Sequence, residues 1–390
     1  MGIIKSAVLE KLQPAIAKAV STIQKAIEER RPIVIRHHCD ADGYCAGISL
    51  ERAIMPMLSD KHTRERDLFY YYTRLPLLAP SYTYGDATKD LQRAGKFGKK
   101  MPLIIILDTG SGADSLAGIE KVRIYGASVI VVDHHPADKG MNKYLDAHVN
   151  PYHAGSTYDF CAGMLCAEIA YIIDKKQDFS FIASVAAVAD KVASKESEKY
   201  ISLAQKNGSP LKLINRTAAA VDFEAYATGP TSGGEMIDDL LGADAKKQYK
   251  LLTIIEEQIK PMLEAQLQSC LKYAVAESKK NFDFVIINIQ NVKHRNSFPA
   301  RGKSCGIVLD HLMQKGKKAI VIGVGNDSIN FRCSTVIEKF DVNEIIAKCK
   351  KKFPYAQVCG GGHRVAGTMN FIPASYDEIF EFVKDYVDKL

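Results

Sequence analysis

Three short, unbroken apolar runs stand out in the first third of the chain, and each ends on side chains able to bind metal. Ile33-Val34-Ile35 leads into His38-Cys39-Asp40-Ala41-Asp42, Ile104-Ile105-Ile106-Leu107 stops on Asp108, and Val129-Ile130-Val131-Val132 stops on Asp133-His134-His135. Short, β-branched, continuous runs predict fully buried parallel strands. In an open α/β sheet, ligands bind beyond the carboxyl ends of such strands. The pattern therefore predicts three strand ends converging on one cluster of carboxylates and imidazoles.

An amphipathic stretch from about 3 to 30 predicts an N-terminal helix. Strand, Gly-containing turn and helix (about 44 to 56) follow, and then strand, turn and helix again, the βαβ order of a doubly wound, mostly parallel sheet. Residues 61 to 100 read as polar and aromatic loops. Phe69-Tyr70-Tyr71-Tyr72 reads as an aromatic strand in the core or, alternatively, as a platform on which bases stack. Residues 161 to 189 read mostly as helix and deliver Asp190-Lys191, a fourth candidate ligand. From about 235 to 280 the pattern is helical, highly charged and interrupted by Pro261, which predicts an interdomain helical linker. Strand signals restart at Phe284-Val285-Ile286-Ile287 and Ala319-Ile320-Val321-Ile322, before a Gly-rich stretch at 360 to 363 and a closing helix at 376 to 389. The expected architecture is α/β: a catalytic domain over 1–234, a helical linker over 235–280 and a smaller α/β domain over 281–390.

Composition changes this picture only at the margins. With 390 residues, 47% hydrophobic and 25% charged, the chain is long enough for two cores. A net charge of +7 and a pI near 8.7 favour a polyanionic partner such as nucleic acid. The nine cysteines contain no CxxC pair, so neither a disulfide framework nor a zinc ribbon is indicated, and reduced cytoplasmic thiols are expected. No apolar run approaches the roughly 20 residues of a membrane span. A cytoplasmic protein with no membrane partner is the expectation.

The strand-end residues point to a particular chemistry. If the backbone stays extended, His38, Asp40 and Asp42 share one face and Cys39 points away. Carboxylate oxygens with imidazole nitrogens suit Mn²⁺ or Mg²⁺, and the lack of a thiolate set argues against structural zinc. Asp-x-Asp-Gly is also an ordinary strand-to-helix turn with an acid as N-cap, and Asp108-Thr109-Gly110 admits the same reading. Asp133-His134-His135 has little structural purpose, and the conjunction of all three carries the argument. Such a set suits phosphoryl transfer to water by two metals about 3.5–4 Å apart, held by a bridging carboxylate, for which Asp108 is the candidate.

Gly360, Gly361 and Gly362 place bare N–H groups where a phosphate can approach, with His363 and Arg364 adding donors and charge. A tight turn before a strand is the alternative. Arg332, with Ser334 at a probable strand end, is placed to grip the next phosphate. Arg301 and Lys303, in a Gly/Pro loop, are candidates for further backbone contacts, or ordinary surface charge.

These residues resemble the motifs of the DHH phosphoesterases, a family named for the triplet that stands here as Asp133-His134-His135. His38-x-Asp40-Ala41-Asp42-Gly43 resembles motif I, Asp108 motif II, Asp133-His134-His135-Pro136 motif III and Ala189-Asp190-Lys191 motif IV. Gly360-Gly361-Gly362-His363-Arg364-x-Ala366-Gly367 resembles the DHHA1 signature. The Asp-Ala-Asp-Gly form, Gly229 to Met236 and Phe298 to Lys303 are most similar to archaeal RecJ-like nucleases, single-strand exonucleases of which some join the replisome through GINS. They are also similar to the DHH-fold subunit of the eukaryotic replicative helicase, which has lost catalytic residues; here no motif position is missing.

The resemblance implies that His38, Asp40 and Asp108 hold one metal and that Asp42, Asp108, His134 and Asp190 hold the other. Asp133 would orient an imidazole, and His135 would touch the phosphate or that outer layer. His38 stands where bacterial RecJ carries an acid, which favours Mn²⁺ over Mg²⁺. The expected protein is an exonuclease of single-stranded DNA, RNA or both, using two divalent ions, Mn²⁺ preferred and Mg²⁺ able to serve, in replication or repair. The alternatives are a phosphodiesterase for short oligonucleotides or cyclic dinucleotides, and a scaffold that binds GINS or the replicative helicase complex.

Overall fold

β-Branched side chains buried on both faces build the first sheet. In a computed structural model that describes residues 2–62, 64–77, 79–97, 100–230, 236–293 and 298–390, the chain divides into two compact units, Met1–Ile255 and Glu256–Leu390. The first unit contains β1 (Ile33–His37), β2 (Tyr72–Pro76), β3 (Leu103–Leu107), β4 (Ser128–Val132) and β5 (Ala147–Val149), all parallel, in the order β2-β1-β3-β4-β5. Every residue of β1 and β3 is buried. His37 pairs with Leu107, and Leu107 with Val132, so the three strands end level and residues 38, 108 and 133 leave the sheet side by side. The strand order reverses between β1 and β3, the switch point at which doubly wound sheets bind ligands.

One face of this sheet packs Val34, Ile104, Ile106, Val129 and Val131 against Tyr82, Ile119 and Val122. On the other face lie the helices Ala41–Lys61, Ala162–Ile173 and Ser180–Ala189, packed on one another. The N-terminal helix is Ala7–Glu28, N-capped by Ser6.

The region read as loops at 61 to 100 holds the helix Glu65–Tyr71, the edge strand β2 and the helix Tyr84–Phe97. Its signal was weak because β2, at the edge, is only partly buried and carries Arg74 among its apolar positions. The aromatic quartet is therefore not a core strand: it ends a short helix and opens β2, and Phe69 is 60% exposed.

The second unit contains β6 (Ala274–Ser278), β7 (Asp283–Asn288), β8 (Ala319–Val324), β9 (Ser328–Cys333), β10 (Cys359–His363) and β11 (Ala366–Asn370). They form one sheet ordered β10-β11-β9-β8-β7-β6, parallel between β7 and β8 and antiparallel elsewhere. Phe284, Ile322 and Phe331 pack with Ile345 and Val383 on one face, and Val285, Ile287 and Val321 with Val308 on the other. The stretch expected to be a wholly helical linker holds a helix, Ala245–Lys272, that runs through Pro261, and then β6. Ala274 to Ser278 is an exposed edge and so lacks the apolar run that marks a buried strand. Within the Gly229 to Met236 motif, residues 231–235 lie outside the described residues. Among the described residues no helix is long and apolar enough to cross a membrane.

Candidate metal centre

Backbone geometry at three strand ends sets the site. Asp40 N-caps the helix Ala41–Lys61, its Oδ1 accepting the Gly43 N–H at 3.1 Å. Because the helix starts at Ala41, the alternation expected to place His38, Asp40 and Asp42 on one face breaks at that point. Asp42 instead turns towards the start of the helix Ala162–Ile173 and accepts the N–H groups of Ala162 and Gly163 at 2.9 and 2.8 Å. Unpaired N–H groups of a helix's first turn favour an anion. A Cβ on Gly43 would lie 2.2 Å from the His38 carbonyl oxygen, so only glycine permits this turn. Asp108 takes the left-handed conformation, φ 58°, uncommon for a residue with a side chain and frequent at functional sites.

Within this frame the candidate ligands meet. His38 Nδ1 lies 2.9 Å from Asp40 Oδ2 and 3.6 Å from Asp108 Oδ2. His134 Nε2 lies 3.1 Å from Asp108 Oδ1 and 3.8 Å from Asp42 Oδ2, and its Nδ1 is 3.7 Å from Asp190 Oδ2. His38, Asp40 and Asp108 offer ligand atoms all within 4.8 Å of one another, and so do Asp42, Asp108 and His134. Asp108, 2% exposed, is common to both groups. Asp190 caps the C-terminus of the helix Ser180–Ala189 and stands against the far ring nitrogen of His134. Asp133 is saturated by donors: Oδ1 takes the N–H groups of His134 and His135 at 2.7 and 3.1 Å and meets His135 Nδ1 at 2.8 Å, while Oδ2 takes the Ser111 N–H at 3.0 Å.

The charges show what the cluster lacks. Burial and the neighbouring Asp108 push the Asp42 carboxyl well above the usual carboxylate range. Burial raises Asp190 to about 6, with His134 pulling down and Asp108 pushing up. The Asp40 carboxylate raises His38 well above the ordinary imidazole range against the effect of burial. Burial would lower His134, but Asp190, Asp108 and Asp42 raise it well above that range. Carboxyls that retain protons beside imidazoles that gain them mark a site short of positive charge. An oxygen and nitrogen donor set of this kind fits Mn²⁺ or Mg²⁺. Cys39 stays apart, with Sγ donating to the Ala225 carbonyl at 3.6 Å.

In the second unit the candidate substrate residues separate into two sets. Register and strand alternation put His363, Gly361, Arg332, Asn330 and Thr368 on one face of β10, β11 and β9. Gly302, in the first turn of the helix Arg301–Gln314, abuts this face, since a Cβ there would lie 3.3 Å from Asn330 Oδ1 and 3.7 Å from Arg332 Nη2. Arg301 and Lys303 thus open a helix and do not sit in a loop; the Arg301 side chain lies outside the described set. Gly360 to Gly362 lie within β10 itself and not in a tight turn before a strand. Gly360 and Gly362 have φ of 128° and 144° and no room for a Cβ, whereas one on Gly361 would meet nothing closer than 3.8 Å.

Two expectations fail here. Arg364 donates to the carbonyls of Thr335, Ile337, Glu338 and Phe340 at 2.9–3.0 Å, so its guanidinium braces a loop instead of meeting a phosphate. Ser334 is 2% exposed and its Oγ accepts the Ala319 N–H at 3.0 Å, locking β9 to β8. Sequence reasoning also missed Asp222, which accepts the Ala41 N–H at 3.2 Å, and the buried pair Ser111 and Asn150; Asn150, just after β5 and before Pro151, had the only readable signal, that of a turn cap.

Residues 32–202 match the model of the DHH family, N-terminal domain. The chain is 34% identical over 414 residues to an uncharacterized protein of Methanocaldococcus jannaschii, a match covering 97% of this chain and 54% of that protein. The chain thus spans about half the length of that relative. A solved DHH domain, from a member of a family of ribosomal proteins, superposes with a TM-score of 0.94 at 29% identity, covering 100% of this chain and 94% of that one. Exonuclease RecJ bound to manganese superposes with a TM-score of 0.60 at 15% identity, covering 96% of this chain and 95% of that one.

Proposed function

We propose, from the match of residues 32–202 to the DHH family model, that the chain is a metal-dependent exonuclease that hydrolyses phosphodiester bonds of single-stranded nucleic acid. The observation that carries this reading is the buried Asp108 carboxylate, common to three groups of possible ligand atoms, with His38 and Asp40, with Asp42 and His134, and with Asp133 and His135. His38, Asp40 and Asp108 would hold one divalent ion, and Asp42, Asp108 and His134, with Asp190 beside them, the other. When bound, such ions supply an acidified water and positive charge against the phosphate. The imidazole of His38 in the first group favours Mn²⁺, with Mg²⁺ able to serve. RecJ structures of the same fold bound to manganese and to magnesium support a divalent ion without choosing between the two.

The chain's own residues do the rest. Asp133 accepts the His135 Nδ1–H and, against the effect of burial, raises that ring above the ordinary imidazole range, so the doubly protonated imidazolium can donate from Nε2 to a phosphate oxygen. In the second unit, Arg332, His363 and the bare backbone at Gly361 share a sheet face suited to binding phosphates. The net charge of +7 favours such a substrate.

The test is digestion of 5′-labelled and 3′-labelled single-stranded DNA and RNA in Mn²⁺, beside Asp108→Ala and a metal-free control. Stepwise loss of nucleotides from one end, absent in both controls, is expected. Cleavage of di- to pentanucleotides alone would replace the exonuclease with a short-oligonucleotide phosphodiesterase. No cleavage at all would leave a scaffold role in the replicative helicase complex, for which binding of purified GINS is the measurement.

A further inference from the structure

Asn150 is fully buried and ties together segments far apart in the sequence. Its Oδ1 accepts the Tyr152 N–H at 2.9 Å and caps the turn Pro151–Ala154. Its Nδ2 donates to Ser111 Oγ at 2.9 Å and to the His135 carbonyl at 3.0 Å. Ser111 gives its backbone N–H to Asp133 Oδ2, and Asp133 Oδ1 meets His135 Nδ1. The bonds close a loop through Asn150, Ser111, Asp133 and His135.

Asn150's donor and acceptor cannot be exchanged, because the Tyr152 N–H only donates and the His135 carbonyl only accepts. His148 Nδ1 lies 2.6 Å from Asn142 Oδ1 and 3.0 Å from His153 Nε2, and its Nε2 lies 2.8 Å from the Ser111 hydroxyl; with the ring proton on Nδ1, that hydroxyl donates to Nε2. The Ser111 oxygen then keeps its lone pairs for Asn150. None of Asn150's hydrogen bonds goes to His38, Asp40, Asp42, Asp108 or His134. They reach His135 twice, once at its carbonyl and once, through Ser111 and Asp133, at its ring, which is 39% exposed.

We infer that Asn150 is a positioning residue for His135: it holds that imidazole in the orientation the reacting phosphate needs, and so governs turnover without governing cation binding. The inference rests on the phosphodiester-hydrolysing reading above and adds one residue to that site. Asn150→Asp keeps the shape but turns the donating group into an acceptor facing two oxygens.

The experiment compares wild type, Asn150→Asp, the milder Ser111→Ala, His135→Asn and the Asn150→Asp/His135→Asn double variant. On single-stranded oligonucleotide in Mn²⁺, kcat of Asn150→Asp is expected to fall about 10- to 100-fold, with KM and calorimetric Mn²⁺ affinity within about twofold of wild type. Ser111→Ala falls less, in the same parameter, and carries the test if Asn150→Asp does not fold. The double variant is expected to be no slower than His135→Asn alone. A nitrogen-15 spectrum of the histidine rings in Mg²⁺ reads the same link without turnover: the His135 Nδ1–H signal of the wild type is broadened or lost in Asn150→Asp. Additive losses in the double variant, a Mn²⁺ affinity that falls in step with kcat, or an unchanged His135 ring signal would overturn the assignment. A wild type that hydrolyses nothing would refute the nuclease reading, and the ring spectrum would still decide whether Asn150 holds His135.

Discussion

At the scale of single residues, the site follows from one carboxylate serving two neighbours. Asp108→Ala removes the oxygens shared by both groups, so hydrolysis should be lost and calorimetric Mn²⁺ stoichiometry should drop below that of the wild type. Unchanged stoichiometry would sink the bridging role. Proton release gives a second check. Without metal, His38, His134, Asp42 and Asp190 all keep protons to higher pH than usual, Asp190 to about 6. A cation must displace those protons, so Mn²⁺ affinity should fall as pH drops through 6 and binding should release protons there. Titrations in buffers of different ionisation enthalpy measure that release, and none near pH 6 would refute it. The clustering of these acids and imidazoles was legible because such side chains at the ends of buried strands have few other uses. Arg364 and Ser334 were misread because sequence does not distinguish a guanidinium aimed at backbone carbonyls from one aimed at phosphate, nor a hydroxyl that locks two strands from one that meets a ligand.

At the scale of elements, strands announced themselves in proportion to their burial. β1, β3 and β4, central and covered on both faces, were readable from their β-branched runs, while β2 and β6, partly solvated edges, and β5, buried but only three residues long, were not. The turn after β1 was readable, but the helix that starts at Ala41 redirects Asp42, which no alternation rule anticipates. That redirection depends on close packing: a Cβ on Gly163 would sit 2.5 Å from the Ala186 Cβ and 2.9 Å from Asp42 Oδ1. Gly163→Ala should therefore cost about 1–3 kcal/mol by overpacking, read by urea unfolding, and should weaken Mn²⁺ binding by displacing Asp42. Full stability with full affinity would show that the helices around Asp42 can yield.

At the scale of the whole chain, His38, Asp40, Asp42, Asp108, His134 and Asp190 all belong to the first unit, and each unit has its own apolar core. A ligand that binds only the folded form stabilises what it binds, by about 2.7 kcal/mol at a hundredfold excess over Kd. Hydrogen exchange read by mass spectrometry should then show Mn²⁺ slowing global opening of β1, β3 and β4 while β7, β8 and β9 exchange as before. Equal protection of both sheets would mean that the units open as one cooperative block, and the cation would then be a clamp on the entire molecule. Protection confined to the first sheet would make each unit's stability its own. Substitutions on the face of β9 to β11 could then test the proposed phosphate contacts without disturbing the candidate metal cluster.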